Sequence, residues 1–365
     1  MQSIIAVWDS QRVSKINSRE GFVDILPADI TLFIIMDDIT RAGLIFNAAS
    51  IPLGLFTKLC NNYDPHEILS GSSFLAELGL TEAQASRVTD LLAKDCWAER
   101  ELEYISRLGA KFITARDIDY PAKLFDLKRP PVGLYVRGGA GLSFPSAAVV
   151  GTRKPGSYGQ VTAGNIARDL ARHGGITISG GAAGIDSAAH RGSLSEDGIT
   201  IAVFGTPIDR VYPSENRDLF MRIVERGAVI SEYPTDSNGE GWHFPERNRI
   251  IAALASRVVI VEAGEKSGAM ITAEYARELG RELWAVPGRI TDENSRGTNR
   301  LLNLGAKCLW DIGEFVGSFT CGHEQLNLFG DDEAEESRAV PELSDEDKVI
   351  YSLIQKEGSI MLDEI

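Results

Sequence analysis

The sequence predicts an α/β fold built on a Rossmann-like, doubly wound, mostly parallel sheet. Between residues 147 and 286, six short apolar runs alternate with segments whose apolar residues recur at helical spacing. The runs are continuous rather than alternating, as in strands that are buried on both faces of a parallel sheet. A helical stretch long enough for a crossover separates each run from the next, which is the pattern of successive βαβ units.

Before the sheet, the chain is predicted to be helical from about residue 40 to 105. Apolar residues recur every three or four positions in Ala85–Leu92 and Cys96–Leu108, as an amphipathic helix requires. Two short strands, Lys111–Thr114 and Gly133–Val136, are predicted to follow. We therefore expect a helical N-terminal domain over residues 1–105, in which the first 30 residues show no clear pattern.

The α/β domain is predicted to span residues 106–317. Its six strands are Ala147–Val150, Ile176–Ser179, Ile199–Phe204, Ala228–Ser231, Val258–Glu262 and Leu283–Val286. The helices between them are Gln160–Arg172, Gly184–Leu194, Ser214–Glu225, Pro245–Leu254 and Ala269–Leu279. Ligands of such sheets bind beyond the carboxyl ends of the strands, so the loops that follow the strands are the predicted place for a site.

The negative charge is concentrated at the end of the chain. The formal net charge is −15, and residues 311–365 alone carry 15 acidic and 3 basic side chains, whereas residues 151–310 carry 19 of each. A neutral central region can still hold a local basic pocket. Residues 318–341 are predicted to be an acidic linker. The helix Ser344–Gln355 then begins an incomplete, winged-helix-like segment over residues 342–365.

The composition excludes several classes of protein. The four cysteines are scattered without a C-x-x-C pair, which argues against a disulfide scaffold or a typical zinc site and fits a reducing cytosol. No apolar run approaches the roughly 18 residues that span a bilayer, and the start lacks the pattern of a secretory signal. The sequence predicts a cytoplasmic protein without metal, cofactor or membrane partner.

Two glycine-bearing loops follow the first two strands of the α/β domain. In Gly151–Lys154, two adjacent cations behind a glycine suit an anion, although the loop alone is more typical of a surface turn. In Ser179–Ile185, small residues let the next helix start close to the sheet, so its first amides could hold a phosphate. The same glycines are also typical of tight strand–helix packing. His190, on that helix, is more typical of a packing residue than of a catalyst.

Two further loops carry polar residues toward the same edge. Phe244, Arg247, Asn248 and Arg249 combine an aromatic ring, cations and an amide, which suits stacking on bases and contact with phosphates. The alternative is an ordinary first turn of a helix with Pro245 near its start, but arginine is unfavourable there against the helix dipole. Lys266–Gly268 enters the next helix as a candidate anion nest. Several such loops on one edge are a stronger signal than any one alone.

Together these residues resemble the DNA-processing protein A (DprA, or Smf) family. The matching strings are VVGTRKPGSYG, SGGAAGIDSAAH, FGTPIDRVYPSEN, SEYP, FPERNRII, VEAGEKSGAMITAEYA, VPGRI and SRGTNRLLNLGAK, in the family's order, over roughly residues 105–310. Residues from about 50 to 105 are similar to the family's helical N-terminal domain, and residues 343–365 to the first part of its winged-helix domain.

The resemblance implies a recombination mediator without catalytic activity. Such proteins bind single-stranded DNA with little sequence preference, dimerise through the Rossmann-like domain and help to load the RecA recombinase, typically during natural transformation. The predicted DNA-binding residues, from the loops and the resemblance together, are Gly151, Thr152, Arg153, Lys154, Ser179, Gly180, Gly181, Gly184, Ile185, Phe244, Arg247, Asn248, Arg249, Lys266, Ser267 and Gly268. The sequence departs mildly from the family at Ala252–Leu254 and Ala269–Met270, and it lacks one glycine of the family's N-terminal turn at Ile51–Leu55.

The alternative interpretation is a nucleotide-binding sensor or a nucleotide riboside hydrolase on the same fold. Glu274, on the helix after Gly268, could act as the acid of such a hydrolase. The P-G-G-x-G-T loop of those enzymes is not found, and neither is a nucleophile–base pair or a Walker lysine.

Gln325–Phe329, in the linker, resembles the Q-L-x-L-F peptide by which replication and repair proteins bind the polymerase sliding clamp. Its apolar side chains could fill a pocket while Gln325 supplies a hydrogen bond. Short motifs arise often by chance, and packing of these side chains on the preceding domain is somewhat the better-supported interpretation.

Overall fold

The sheet is built around strands whose side chains are buried on both faces. In the computed structural model, which describes residues 38–70, 79–94, 96–139 and 145–324, every residue of the strand Ser146–Val150 is buried. The strands of the described residues are β1 Ala110–Thr114, β2 Gly133–Gly138, β3 Ser146–Val150, β4 Ile176–Ser179, β5 Thr200–Phe204, β6 Ala228–Ser231, β7 Arg257–Ile260, β8 Glu282–Ala285 and β9 Lys307–Cys308. They form one sheet in the order β1-β2-β6-β5-β4-β3-β7-β8-β9.

Helices are found at the predicted positions, several with bounds that differ by a few residues, and the sequence analysis did not predict the two helices after β8. They are α1 Asp38–Ala48, α2 Leu53–Asn62, α3 Pro65–Ser70, α4 Glu82–Ala93, α5 Trp97–Arg107, α6 Ser157–Arg172, α7 Ile185–Leu194, α8 Arg217–Arg226, α9 His243–Leu254, α10 Gly268–Glu278, α11 Arg296–Asn303 and α12 Ile312–Glu324. Thr81 caps α4, because its hydroxyl accepts a hydrogen bond from the Gln84 amide while the Gln84 side chain accepts one from the Thr81 amide. None of the helices in the described ranges has the length and apolar character needed to cross a membrane.

The predicted fold class is confirmed, although the strands differ from the prediction in pairing and in several of their bounds. β1 and β2 extend the sheet as an antiparallel pair, and β2 is antiparallel to β6. β7 ends at Ile260 rather than Glu262, because the Glu262 backbone leaves the ladder and its carbonyl accepts a hydrogen bond from the Thr152 amide. The sequence analysis did not predict β9, which has only two residues, both exposed.

The strand order places a topological switch point beside β3. From β3 the chain runs in one direction through β4, β5 and β6, and it then returns to the other side of β3 as β7 and β8. β3 pairs in parallel with both β4 and β7, so the loops after these three strands emerge side by side at the same edge. This edge is the crevice in which open α/β sheets bind their ligands.

The N-terminal helices share a hydrophobic core with one part of the sheet. Phe46, Phe56 and Ile105 from the helices belong to the same buried cluster as Tyr135 and Phe204 from the strands. The chain passes from α5 to β1 between residues 107 and 110. The linker was predicted to begin at residue 318, but α12 continues to Glu324. The rest of the predicted linker, the predicted helix Ser344–Gln355 and the clamp-like Gln325–Phe329 lie outside the described residues.

Buried polar side chains join the N-terminal helices to the loop that follows β6. The Asn47 amide donates to the Glu232 carbonyl at 2.7 Å and accepts from the Gly133 amide at 3.2 Å. The Glu101 carboxylate accepts from the Thr235 amide at 2.8 Å and also from the Thr235 hydroxyl. Burial raises the pKa of Glu101 above its ordinary value. Side chains of α1 and α5 thus fix the loop after β6.

Candidate nucleic-acid interface

The loop after β3 is fixed between the loops after β4 and β7. The Thr152 amide donates to the Glu262 carbonyl at 2.7 Å, and the Thr152 carbonyl accepts from the Ile185 amide at 3.2 Å. A Cβ at Gly151 would lie 2.6 Å from the Ile185 side chain and 2.7 Å from the Glu262 carbonyl, so only glycine fits there. The backbone of this loop is therefore built into the edge, and its side chains are what it offers to a ligand.

The first amides of α6 are occupied by a carboxylate of the protein. Glu262, only 2% exposed, accepts from the Gly156 amide and the Gly159 amide, each at 2.9 Å. Many nucleotide-binding folds leave amides at the start of such a helix for the phosphates of the ligand. Here the protein supplies its own anion.

A second carboxylate occupies the loop that leads into α7. One Asp186 oxygen accepts from the Gly180 amide at 3.1 Å and the Ala182 amide at 3.3 Å, while the Ile185 amide is bonded to the Thr152 carbonyl. This corrects the expectation that these amides are open to a phosphate. The acidic residue in the first turn fills the nest from within, as the helix dipole favours.

The other residues of that loop serve packing. The Ser179 hydroxyl is buried and donates to the Val149 carbonyl at 2.7 Å, and the Ile185 side chain is fully buried. Gly181 and Gly184 have φ values of +68° and +84°, which glycine adopts without strain. The sequence analysis left open phosphate binding and tight strand–helix packing for this loop. The positions of these four residues agree with tight packing.

His190 is a packing residue, as expected. It is fully buried, and its Nδ1 lies 2.7 Å from the Thr200 hydroxyl, which itself donates to the Thr177 carbonyl at 2.9 Å. Nδ1 must therefore carry the proton and donate. Burial lowers the pKa of His190 to about 3, so the ring is neutral at physiological pH.

Arg247 is a buried cation at the centre of the edge. The residue is only 4% exposed. Its Nη1 donates to the Gly180 carbonyl at 2.9 Å and also to the Val203 carbonyl. Burial lowers its pKa to about 10, and the nearby Asp186 carboxylate opposes that shift. Arg247 therefore remains charged at neutral pH and ties the loop after β4 to strand β5.

Arg249 is also engaged inside the protein. Its Nη2 lies 2.6 Å from both carboxylate oxygens of Glu232, in the loop after β6. The side-chain exposure of this ion pair is 9% for Arg249 and 18% for Glu232. Both predicted arginines of α9 thus face protein groups. α9 also begins at His243, so Pro245 is its third residue rather than its first.

Arg153, Phe244 and Tyr212 form a row along the edge, here named the edge row. The guanidinium carbon of Arg153, an exposed residue, lies 5.3 Å from the centroid of the Phe244 ring. The Phe244 ring lies 5.3 Å from the Tyr212 ring at an angle of 53°, and Tyr212 is 52% exposed. The row brings a cation from the loop after β3 to aromatic rings from α9 and from the loop after β5.

Lysines and amides flank the edge row. Lys154 and Lys266 are exposed, and no ion pair is found for either among the described residues. Asn248 donates to the Gly268 carbonyl at 3.2 Å, which joins α9 to the loop after β7. The Ser267 hydroxyl caps α10 by accepting from the Ala269 amide, so it too is used within the protein. The side chains left for a ligand are mainly cations and rings.

The sequence analysis missed Tyr212, Asp186 and Glu262 as residues of the edge. Tyr212 was within a matching string, and its place after a predicted strand was the available signal. The two carboxylates could not be assigned, because their partners lie on loops that meet only in the folded sheet. No group of three or more metal-ligating side chains lies together in the parts of the chain that the structure describes.

The buried Asp186 predicts a dependence of stability on pH. Burial raises its pKa to about 6, against an ordinary value of about 3.9, and the attraction of Arg247 only partly opposes the rise. The folded state then binds the proton more tightly than the unfolded state does. The stabilisation that this proton gives to the folded state is fully present below about pH 4 and is lost as the pH rises through about 6.

Urea unfolding of the unaltered chain and of Asp186→Asn between about pH 4.5 and pH 7.5 measures this contribution. The stability of the unaltered chain relative to Asp186→Asn is expected to fall with rising pH, because only the unaltered chain carries the titrating carboxyl. A difference that does not change with pH would mean that the carboxyl is ionised throughout the range.

The sequence and the fold are similar to those of known proteins. The model of the family described as DNA recombination-mediator protein A matches residues 111–320. A putative DNA processing protein DprA from Mycobacterium tuberculosis is 37% identical over 285 residues, which are 73% of this chain and 72% of that protein. The protein Smf from Synechocystis is 38% identical over 241 residues, 63% of this chain, and the matched part spans 61% of its length, which is less than two thirds.

Two solved structures share the fold. The X-ray structure of DNA processing protein A from Streptococcus pneumoniae aligns with a TM-score of 0.66 and 29% identity, over 78% of this chain and 98% of that one. A structure of DNA processing protein A from Helicobacter pylori, which concerns its single-stranded DNA binding mode, aligns with a TM-score of 0.53 and 33% identity, over 58% of this chain and 96% of that one. The chain belongs to the DNA recombination-mediator protein A family.

Proposed function

We propose that this chain binds single-stranded DNA along the edge row and acts in recombination as a mediator rather than an enzyme. The observation that carries the proposal is the exposed Arg153 guanidinium against the Phe244 ring at the switch point of the sheet. A cation beside a ring can contact a phosphate while the ring stacks on a base. The single-stranded DNA binding mode described for the Helicobacter pylori relative supports the same ligand.

The aromatic rings favour a single strand over a duplex. A ring can stack on a base only where that base is unpaired, and stacking does not depend strongly on base identity. Phe244 and Tyr212 would therefore give little sequence preference, while Arg153, Lys154 and Lys266 would neutralise phosphates. Few cations are available, so we expect modest affinity at physiological salt with a marked loss as salt rises.

The occupied amides argue against the nucleotide sensor and the riboside hydrolase. A mononucleotide places its phosphate on the amides that begin a helix or line the loop before it. Glu262 already holds amides at the start of α6, and Asp186 holds the Gly180 and Ala182 amides in the loop before α7. Glu274, the candidate acid, is exposed on α10 rather than enclosed in a pocket. These positions support a binding surface for a polymer rather than a pocket for one nucleotide.

Fluorescence anisotropy separates these functions. The full chain is titrated with a labelled single-stranded oligonucleotide, the matching duplex and a labelled mononucleotide at two salt concentrations. We expect the single strand to bind more tightly than the duplex, with weaker binding at high salt, and no saturation by the mononucleotide. Saturation by the mononucleotide with an affinity equal to that of the oligonucleotide would favour the sensor or hydrolase instead.

We further propose that the protein acts as a cytoplasmic homodimer. Leu304 and Trp310, which are 51% and 72% exposed, flank β9 at an open edge of the sheet, and this apolar exposure supports self-association there. Light scattering should show a dimer for the unaltered chain and a shift toward the monomer for Trp310→Ala. An unaltered chain that stays monomeric at high concentration would contradict the proposal.

Loading of RecA onto DNA is the proposed consequence of strand binding. A single strand coated with single-strand binding protein should support faster RecA ATP hydrolysis when the full chain is added, and Arg153→Ala should remove the stimulation. Equal stimulation by the unaltered chain and by Arg153→Ala would mean that loading does not depend on the edge row.

Binding of the sliding clamp through Gln325–Phe329 is a lesser proposal, which a peptide of residues 321–333 can test.

A further inference from the structure

A cleft of about 460 Å³ lies beyond the edge row, on the far side of Tyr212. It opens between the loop after β5 and the loop after β6, and its volume suits a group the size of a nucleotide. Its exposed lining residues are Arg210, Tyr212, Ser214, Arg217 and Asn238. The cleft therefore continues the edge row from Tyr212, its last ring, toward the arginines of the lining.

The walls of the cleft are held by hydrogen bonds within the protein. Arg210 donates to the Ser237 carbonyl at 2.6 Å and to the Thr235 carbonyl at 3.4 Å, and the Thr206 hydroxyl donates to the Arg210 carbonyl at 2.6 Å. These bonds join the two loops on either side of the opening. The cleft is thus preformed, which lowers the entropic cost of ordering a ligand in it.

Tyr212 offers a ring with one supported face and an exposed remainder. The Phe244 ring packs against it at 5.3 Å, while 52% of the residue stays accessible. The contact with Phe244 holds the ring in place, and its accessible part can stack on a base. A base that leaves Phe244 can stack on Tyr212 without crossing any gap in the aromatic surface.

Arg217 places a cation at the same cleft. It is exposed at the start of α8, and no ion pair is found for it among the described residues. A cation at the start of a helix opposes the helix dipole, so local stability does not explain it. The other arginine of the lining, Arg210, donates to the Ser237 and Thr235 carbonyls. Arg217 is therefore the cation that we expect to meet a phosphate in the cleft.

We propose that this cleft is a second nucleotide subsite, in which a base stacks on Tyr212 and the adjoining phosphate contacts Arg217. The proposal rests on the binding of single-stranded DNA proposed above and specifies the path of the strand. The strand runs from the loop after β3, across Phe244, to the loop after β5. Oligonucleotides that are long enough to reach Tyr212 should then bind more tightly than those that fill only the part at Arg153.

The test uses the full chain and oligothymidylates from about 4 to about 16 nucleotides, the range of known site sizes. Tyr212→Leu keeps an apolar side chain against Phe244 but removes the ring, and Tyr212→Phe keeps the ring. Arg217→Gln removes the cation. Arg226→Gln is the matched control, because Arg226 ends the same helix just before β6 and so lies toward the opposite edge of the sheet.

Tyr212→Leu is expected to weaken binding of the longer oligonucleotides about tenfold and to leave the shortest unchanged, whereas Tyr212→Phe binds all lengths normally. Arg217→Gln should make the slope of log affinity against log salt less negative by about 0.7 for the longer strands. Arg226→Gln should change neither quantity.

Three outcomes would overturn the subsite. Normal binding by Tyr212→Leu and Arg217→Gln at every length, with weak binding by Arg153→Ala, would leave the proposed function intact and remove the subsite. Equal weakening by Tyr212→Leu at every length would mean that Tyr212 only supports Phe244. Normal binding by all variants, Arg153→Ala included, would instead show that the strand binds elsewhere and that the proposed function places it wrongly.

Discussion

Arg247→Met is expected to lower the free energy of unfolding by about 3–5 kcal/mol, the cost of leaving a buried charge without its partner. Arg247 is only 4% exposed, and its guanidinium donates to the Gly180 and Val203 carbonyls. Methionine fills a similar volume but donates no hydrogen bond. The two carbonyls and the Asp186 carboxylate would then lose the cation that faces them in a poorly solvated site.

Urea unfolding at pH 7 measures this loss, with Arg226→Met as the control. Arg226 is an exposed arginine whose ion pair with Asp197 lies at the surface, so its replacement should cost at most about 1 kcal/mol. If Arg247→Met unfolds at the same urea concentration as the unaltered chain, Arg247 is not a structural residue. It would then again be a candidate for direct contact with the ligand.

Arg153→Ala is expected to weaken binding of single-stranded DNA at least about tenfold, whatever its sequence. Arg153 is exposed, and its guanidinium lies 5.3 Å from the centroid of the Phe244 ring. The substitution removes the proposed phosphate contact and the cation that lies over this ring. The slope of log affinity against log salt should also become less negative by about 0.7, the contribution of one phosphate contact on a single strand.

The stability of Arg153→Ala should stay within about 0.5 kcal/mol of the unaltered chain, since the side chain lies at the surface. Arg226→Ala is the control, because it removes the same charge toward the opposite edge of the sheet. This variant should bind normally. Arg153→Lys keeps the charge without the planar fork, and we expect it to recover part of the affinity. Full affinity in Arg153→Ala would exclude this residue from the interface.

Most of the sheet could be predicted, because strands buried on both faces are continuous apolar runs that any reader of the sequence can find. β4 and β6 have the predicted bounds. β9 could not be found in this way, since Lys307 and Cys308 are both exposed and offer no apolar run. The pairing of β2 with β6 was also out of reach, because it joins strands about 90 residues apart that no local pattern connects.

The site was predictable as a place rather than as a set of contacts. The loops after parallel strands must meet at one edge, so Arg153, Phe244 and Lys266 could be assigned to it before the fold was known. Which arginine is exposed depends on contacts between distant segments. Arg247 bonds to carbonyls 67 and 44 residues away, and the Asp186 and Glu262 carboxylates fill nests that the glycines alone leave open.

Photo-crosslinking locates the bound strand most directly. An oligonucleotide that carries 5-iodouracil at successive positions is bound to the full chain and irradiated, and the linked peptides are identified by mass spectrometry. The edge row predicts links to peptides that contain Phe244 or Tyr212, with their number reduced by Arg153→Ala. Links confined to the N-terminal helices before Arg107, or to residues beyond 319, would contradict binding at the carboxyl edge of the sheet.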